Sequence, residues 1–359
     1  MKEMAERENI VALAIHFTAG IAAGILLLRL PVDPYFLSGG IFLLLASLLA
    51  AVLKTQRTTL LFPAFLLCGA VCFLTASFPG GSSGTLLERW TAVPAQRMRA
   101  FIDRIPFSSD TTAPLLKAFL TGDRSGLSRE TTQVFRGSGA SHLLALSGLH
   151  MGILYLILDR LLWPFGNSMN ARRLRYVVIL AAAGFFTLMT GASPSIVRAF
   201  LFIALNETAR LAGRPRDPVR ILSSALLIQL VLSPTVILSV GFQLSYLAMA
   251  GIFLLYPRLE AWYPAGPRWD PMRRIWQAAA LSISCQVFTG PLAWYRFHTF
   301  PTYFLLTNLL AMPLTSLLMG TAVATIALQG IGLCPGVLVQ ATDALCSGLL
   351  WILGIISSM

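Results

Sequence analysis

Residues 301–328 read PTYFLLTNLLAMPLTSLLMGTAVATIAL, and no Asp, Glu, Lys or Arg interrupts them. A helix needs about 20 consecutive apolar residues to cross the hydrocarbon core of a bilayer, so this run is long enough to span a membrane. Because Pro313 lies inside it, we expect either one long span or a re-entrant piece followed by a span. The run indicates a membrane helix near the carboxyl end of the chain.

The composition extends this interpretation to the whole chain. Of the 359 residues, 56% are hydrophobic and 12% are charged, and the mean hydropathy is +0.73. Soluble domains average about 45–50% apolar and about 25% charged residues. These numbers exclude an ordinary cytoplasmic enzyme, a disordered protein and a disulfide-stapled secreted domain. We therefore predict an all-α polytopic integral membrane protein.

Apolar runs predict about 10–11 transmembrane helices, some of them re-entrant or broken. With the N-terminus placed inside, sixteen Lys and Arg residues fall on inside segments and three on short outside turns. This asymmetry follows the positive-inside rule, and it explains most of the basic excess without any ligand. The expected spans are residues 10–30, 35–53, 59–78, 140–162, 176–192, 195–212, 219–233, 235–256, 275–295, 301–328 and 336–357.

The spans divide the chain into four parts. They are a three-helix membrane segment (1–78), a short extracytoplasmic linker (79–110), a main membrane domain (111–330) and a C-terminal transmembrane helix (331–359). Residues 79–139 are the one sizeable polar stretch, and they predict two amphipathic helices. We expect one helix from Pro114 and another after Ser128.

The densest polar block inside an apolar run is residues 141–152, SHLLALSGLHMG. On one continuous helix, Ser141, Ala145, Gly148 and Gly152 would form a stripe of small residues that allows another helix to approach closely. Ser147 and His150 are three apart, so they would be neighbours on that helix. They are either a buried or pore-facing polar pair or a Ser–His nucleophile, although no nearby residue would orient the imidazole.

Two further blocks place polar groups in apolar surroundings. In residues 191–199, GASPSIVRA, Pro194 is suited to open a helix that carries Ser195 and Arg198. Arg198 must either extend to the membrane surface or face an aqueous cavity, because an unsolvated charge in hydrocarbon is costly. In residues 241–246, GFQLSY, Gln243 and Ser245 are candidates for a channel lining or for a hydrogen bond between helices.

Together with the segments Thr121–Asp123 and Phe135–Gly139, these three blocks resemble, in order, the competence domain of the ComEC family. The resemblance implies a bacterial inner-membrane channel that carries single-stranded DNA into the cytoplasm during natural transformation. It identifies residues 111–330 as a competence-type membrane domain.

The chain departs from many family members in two ways. It has four histidines, without the His-x-His-x-Asp-His cluster of a metallo-β-lactamase-like domain, and residues 79–111 are too few for an OB-like domain. We therefore expect a minimal form whose nuclease is encoded separately, a divergent paralogue or an incomplete gene product, without cofactor or metal. No phosphate-binding loop of the Gly-x-x-x-x-Gly-Lys-Ser/Thr type occurs. The implied partners are single-stranded DNA, membrane lipid, a separate nuclease, an extracytoplasmic DNA receptor, a cytoplasmic helicase and a second copy of the chain.

Three functions are therefore weighed. The first is a DNA channel rather than an enzyme, and the second is a transporter or flippase for another anionic solute bound by Arg198. The third is an intramembrane hydrolase built on Ser147 and His150. The candidate residues of a DNA path are Ser147, His150, Ser195, Arg198, Gln243 and Ser245, and the candidate helix-packing residues are Gly148, Gly152 and Gly241.

Overall fold

The computed structural model describes residues 2–27, 61–77, 84–166, 168–264, 270–298 and 301–359. Every regular element in these ranges is helical, which confirms the all-α prediction. The predicted second span, residues 35–53, and the start of the linker, residues 79–83, lie outside them.

The described residues form fifteen α-helices and two short 3₁₀ turns, Trp163–Phe165 and Pro234–Leu238. The α-helices are α1 (Lys2–Leu27), α2 (Leu61–Ser77), α3 (Gly84–Ile102), α4 (Thr112–Thr121), α5 (Arg129–Gly137), α6 (Ser141–Leu144), α7 (Gly148–Leu162), α8 (Met169–Met189), α9 (Pro194–Leu211), α10 (Pro218–Leu232), α11 (Val240–Leu254), α12 (Tyr256–Glu260), α13 (Pro271–Phe297), α14 (Phe304–Gly330) and α15 (Gly336–Ser357).

Three described helices are long and apolar enough to cross a membrane: α1 through Asn9–Leu26, α14 and α15. Three further apolar helices in the described ranges are shorter: Phe65–Leu74 within α2, α10 and α11. This is fewer than the 10 or 11 spans predicted. The run 35–53 lies outside the described residues, and the other apolar runs in the described ranges form helices that are shorter, less apolar or more charged. The chain is an all-helical membrane protein.

One compact unit comprises the described parts of Met1–Gly84 and Leu201–Gln243. Helix α1 packs closely on α2 and also contacts α10. A Cβ at Gly20 would overlap the carbonyl oxygen of Leu66, so the two backbones meet at a position where only glycine fits. Beside this contact the rings of Phe17 and Phe65 meet edge to face at 6.4 Å.

The second unit comprises Thr85–Phe200 and Leu244–Met359. Its core joins α14 and α15 to the short helices α4 and α5, with Phe119 and Phe135 fully buried. Thr307 of α14 donates a hydrogen bond of 2.6 Å to the carbonyl oxygen of Ser138. The second half of the polar stretch 79–139 is therefore part of a helical core, because its apolar faces pack on the long helices.

One sequence expectation about helix continuity is wrong. The run 140–162 is broken: α6 ends at Leu144, Ala145 is extended at φ −76° and ψ 130°, and α7 begins at Gly148. The small-residue stripe from Ser141 to Gly152 therefore does not form on one helix. For residues 301–328 the sequence left two alternatives, and the structure agrees with the single long helix, because α14 runs through Pro313 without interruption. Proline is tolerated in membrane helices where neighbouring groups satisfy the freed backbone.

The two predicted amphipathic helices are α4 and α5. Helix α4 begins two residues before Pro114 and ends at Gly122, whose φ of +76° suits glycine. Ser128 caps α5 as predicted, accepting a hydrogen bond of 3.0 Å from the amide of Thr131. Asp123 lies in the turn between these two helices, 2.6 Å from the guanidinium of Arg99 on α3. This guanidinium helps to lower the pKa of the Asp123 carboxyl from 3.8 to about 2.

Candidate anion site at the start of α7

Ser147 and His150 together form the start of α7. The Ser147 hydroxyl accepts a hydrogen bond from the amide of Leu149 at 3.3 Å. His150 Nδ1 accepts from the amide of Ser147 at 3.3 Å and lies 3.1 Å from the Ser147 hydroxyl. This is a capping box, in which the cap residue and the third helical residue satisfy each other's free backbone amides. The spacing Ser-x-x-His is the sequence signal from which this helix start could have been predicted.

The capping box fixes the tautomer of His150. Since Nδ1 accepts a backbone hydrogen bond, Nε2 carries the hydrogen of the neutral ring. His150 is 1% exposed, its ring lies 5.5 Å from that of Phe119, and its Nε2 has no hydrogen-bond partner among the described residues. A Ser–His nucleophile needs a third group that orients the imidazole. The described part of the chain places no carboxylate at Nε2, so the geometry favours a helix cap.

Arg198 is a buried cation on the first turns of α9. It is 7% exposed, its Nε donates a hydrogen bond of 2.6 Å to the hydroxyl of Ser245, and its Cζ lies 5.9 Å from the centre of the Tyr246 ring. No carboxylate pairs with it within the described ranges. A buried charge without a counter-charge is strongly unfavourable, so this site is suited to an anion.

The Arg198 guanidinium also lies against the first turn of α7. A Cβ built on Gly148, the first residue of that helix, would stand 2.9 Å from Arg198 Nη2 and 3.7 Å from the Ala199 Cβ. The N-terminus of a helix carries a partial positive charge and binds anions through its free amides. Two positive groups therefore face each other here. We call Gly148, Arg198, Ser245 and Tyr246 the arginine site.

The arginine site draws on all three polar blocks of the sequence, but it does not take every predicted residue. Ser195 lies on the first turn of α9 and is half-buried. The Gln243 amide donates to the carbonyl oxygen of Ile237 at 2.8 Å, close to the start of its own helix. Gly241 is exposed, and a Cβ on Gly152 would meet nothing within 4 Å. The described residues therefore do not form the close helix packing predicted at Gly152.

Sequence reasoning missed two features of this region. Tyr246 directly follows Ser245, but nothing in the sequence showed that its ring lies beside Arg198. Arg175 is a second buried arginine, 4% exposed, whose Nη2 donates to the carbonyl oxygen of Leu162 at 3.1 Å. It caps the negative end of α7, where a cation is favoured. No group of three or more His, Cys, Asp or Glu side chains that could hold a metal ion lies in the described part of the chain.

Fold and site together define an all-helical membrane protein with a buried arginine between helices. Residues 119–359 match the family described as Competence protein, so the chain belongs to that family. This confirms the resemblance that the ordered sequence blocks indicated. No solved structure matches the chain.

Three relatives show how far the likeness extends. Competence protein ComA of Neisseria gonorrhoeae is 31% identical over 230 residues, which cover 61% of this chain and 32% of the relative. ComE operon protein 3 of Bacillus subtilis (strain 168) is 26% identical over 200 residues, 55% of this chain and 24% of the relative. The uncharacterized protein YcaI of Escherichia coli (strain K12) is 26% identical over 202 residues, 54% of this chain and 26% of the relative. The chain therefore matches about a quarter to a third of the length of each.

Proposed function

We propose that the chain is a channel component that moves single-stranded DNA across the bacterial inner membrane during natural transformation. The proposal includes a multi-pass topology with a cytoplasmic N-terminus, in keeping with the loop charges. Membership of the Competence protein family supports it, as does a relative that is itself named a competence protein. The observation that carries it is the buried Arg198 of α9, which lies against the start of α7 without a carboxylate partner in the described ranges.

The arginine site has the chemistry of a phosphodiester contact. A DNA strand offers one negative charge per phosphate, and a guanidinium together with a helix N-terminus matches that charge. Ser245 holds the Nε edge of Arg198, which leaves its other nitrogens for a ligand. Ser147, His150, Ser195 and Gln243 stay predicted polar candidates for a DNA path.

The test is DNA uptake in a naturally transformable strain that carries this chain as its sole copy. Arg198→Gln removes the charge, and we expect uptake of labelled DNA to fall by at least about tenfold, since losing one charged hydrogen bond costs roughly 1.5–3 kcal/mol. Arg198→Lys should restore part of it. Arg175→Gln is the matched control, because it removes the other buried arginine, whose described partner is a backbone carbonyl. Normal uptake by Arg198→Gln at normal protein level would refute the role.

A transporter or flippase for a smaller anion is the second candidate, and the same buried arginine favours it. Proteoliposomes containing the purified chain distinguish the two functions. Passage of labelled oligonucleotides supports the channel, whereas passage of small anions without oligonucleotides supports the transporter.

The remaining parts of the proposal concern partners and chemistry. A separate nuclease, an extracytoplasmic DNA receptor and a cytoplasmic helicase would supply strand degradation, capture and energy, and a second copy of the chain would complete an oligomeric channel. We propose that the chain itself is not an enzyme. Ser147→Ala tests this: retained activity in every assay would exclude a hydrolase built on Ser147 and His150.

A further inference from the structure

A buried carboxylate on the last helix plays no part in the arginine site. Asp343 of α15 is 8% exposed, and its Oδ2 accepts a hydrogen bond of 2.7 Å from the backbone amide of Ser108. Its Oδ1 is buried and has no hydrogen-bond partner among the described residues. Within the same ranges no Lys, Arg or His forms an ion pair with it. One of the two oxygens of this carboxylate, Oδ1, therefore lacks a hydrogen bond among the described residues of the second unit.

A second unsatisfied oxygen lies on the element that packs against this part of α15. Thr112, the first residue of α4, is fully buried, and its hydroxyl also has no partner in the described part of the chain. The Cys346 thiol, one turn along α15, lies close to Thr111, Thr112 and Asp343. The two buried oxygens therefore lie on elements that meet beside Cys346: the start of α4, and the part of α15 to which the irregular segment 103–111 is bonded through Ser108. We call this place the Asp343 pocket.

The charge of the pocket decides what it can hold. A bound water would satisfy hydrogen bonds, whereas a cation would also compensate a carboxylate charge, which is costly to bury unpaired. A carboxylate, a hydroxyl and backbone carbonyls of an irregular segment are hard oxygen ligands. Coupling ions in membrane proteins are held by such sets, where unwound backbone meets a helix. We propose that Asp343 and Thr112 bind one monovalent cation, with sodium as the probe.

A cation at this position would tie the segment 103–111 to the last helix. The Ser108 amide already anchors that segment to Asp343 Oδ2, and an ion on Oδ1 would add a second attachment through Thr112. Ion occupancy would then stabilise the packing of α4 on α15, independently of any DNA that the arginine site contacts.

The test measures binding of radioactive sodium to the purified full chain in detergent at constant ionic strength, with an organic cation as replacement. We expect saturable binding of one ion per chain. Asp343→Asn should abolish it, and Thr112→Val should weaken it by about tenfold or more. Thr315→Val is the matched control, because Thr315 is also fully buried with an unpartnered hydroxyl. Thr315 is nonetheless distant from Asp343. Thr325 of α14 contacts Thr342, the neighbour of Asp343, and Thr315 lies ten residues before Thr325, about 15 Å away along the helix.

A second readout guards against variants that simply unfold. Sodium should raise the thermal unfolding midpoint of the wild-type chain and of Thr315→Val in a saturable way, since a ligand that binds only the folded state stabilises it. Asp343→Asn should fold without responding. Equal effects of sodium and the organic cation, absence of sodium binding to the wild type, or full sodium binding by folded Asp343→Asn would each overturn the proposal.

Discussion

The substitution Gly148→Ala perturbs the arginine site, and we expect it to do so without lowering the stability of the fold. A methyl group at Gly148 would stand 2.9 Å from Arg198 Nη2, whereas ordinary contacts of a Cβ begin at 3.4 Å. The guanidinium must therefore withdraw by about 0.5 Å, the difference between these two distances. The atom that moves is the end of a flexible side chain, and the Ala199 Cβ at 3.7 Å is already at a normal distance.

Gly148→Ala is expected to affect the free energy of unfolding and DNA uptake in different directions. Alanine favours a helix over glycine by up to about 1 kcal/mol, so the free energy of unfolding should stay the same or rise. The guanidinium, in contrast, moves away from its position beside the helix N-terminus, although a shift of about 0.5 Å keeps its 2.6 Å hydrogen bond to Ser245 within bonding range. Loss of the charged hydrogen bond that the displaced guanidinium would make to a phosphate corresponds to roughly 1.5 kcal/mol, or about tenfold in DNA uptake.

The assay pairs transformation frequency with the thermal unfolding midpoint of the purified chain. Gly152→Ala is the control, because it lies one turn later on the same helix, where a Cβ meets nothing within 4 Å. We expect Gly148→Ala to lose uptake without loss of stability, Gly148→Leu to lose more, and Gly152→Ala to change neither. Normal uptake by Gly148→Ala, or an equal loss in Gly152→Ala, would refute the reasoning.

Three further predictions concern stability and are read from unfolding midpoints. Gly20→Ala should lower the midpoint strongly, because its Cβ would overlap a rigid carbonyl of α2 rather than a flexible side chain. Thr307→Val should cost about 1–3 kcal/mol by leaving the Ser138 carbonyl unpaired in the core. Asp123→Asn should cost about 1 kcal/mol or less at neutral pH, since the pair with Arg99 is partly exposed. Because the pKa of Asp123 is lowered from 3.8 to about 2, this difference should hold above pH 3.8 and vanish as the pH falls through about 2.

Each of these predictions has an outcome that contradicts it. An unchanged midpoint in Gly20→Ala would mean that α1 and α2 do not meet as described. A neutral Thr307→Val would mean that the carbonyl finds another donor. A difference between wild type and Asp123→Asn that grows below pH 2 would reverse the sign expected for a carboxyl with a lowered pKa.

The helices that sequence reasoning located best are those bounded by strong local signals. Residues 336–357 were predicted as a span and form α15 with the same bounds. Pro194 opens α9 and Ser128 caps α5, because a proline at the first helical position and a serine cap act through their own backbone neighbours. Such signals need no knowledge of the tertiary structure.

The features that the sequence did not predict depend on more than local signals. The break at Ala145 lies in an apolar run without proline, three residues before Gly148. It follows from the capping box of Ser147 and His150, which competes with a continuous helix. Ser245 and Arg198 are 47 residues apart, so their contact depends on how the helices pack. Apolar periodicity shows that a residue is buried, but it does not show which element covers it.

The most direct test of the central claim is the salt dependence of oligonucleotide binding to the chain in nanodiscs. Each phosphate neutralised on a single strand contributes about 0.7 to the slope of log affinity against log salt concentration. If Arg198 contacts a phosphate, Arg198→Gln should weaken binding of single-stranded oligonucleotides of any sequence and reduce the slope by about 0.7, while Arg175→Gln leaves the slope unchanged. An identical slope in wild type and folded Arg198→Gln would contradict the account.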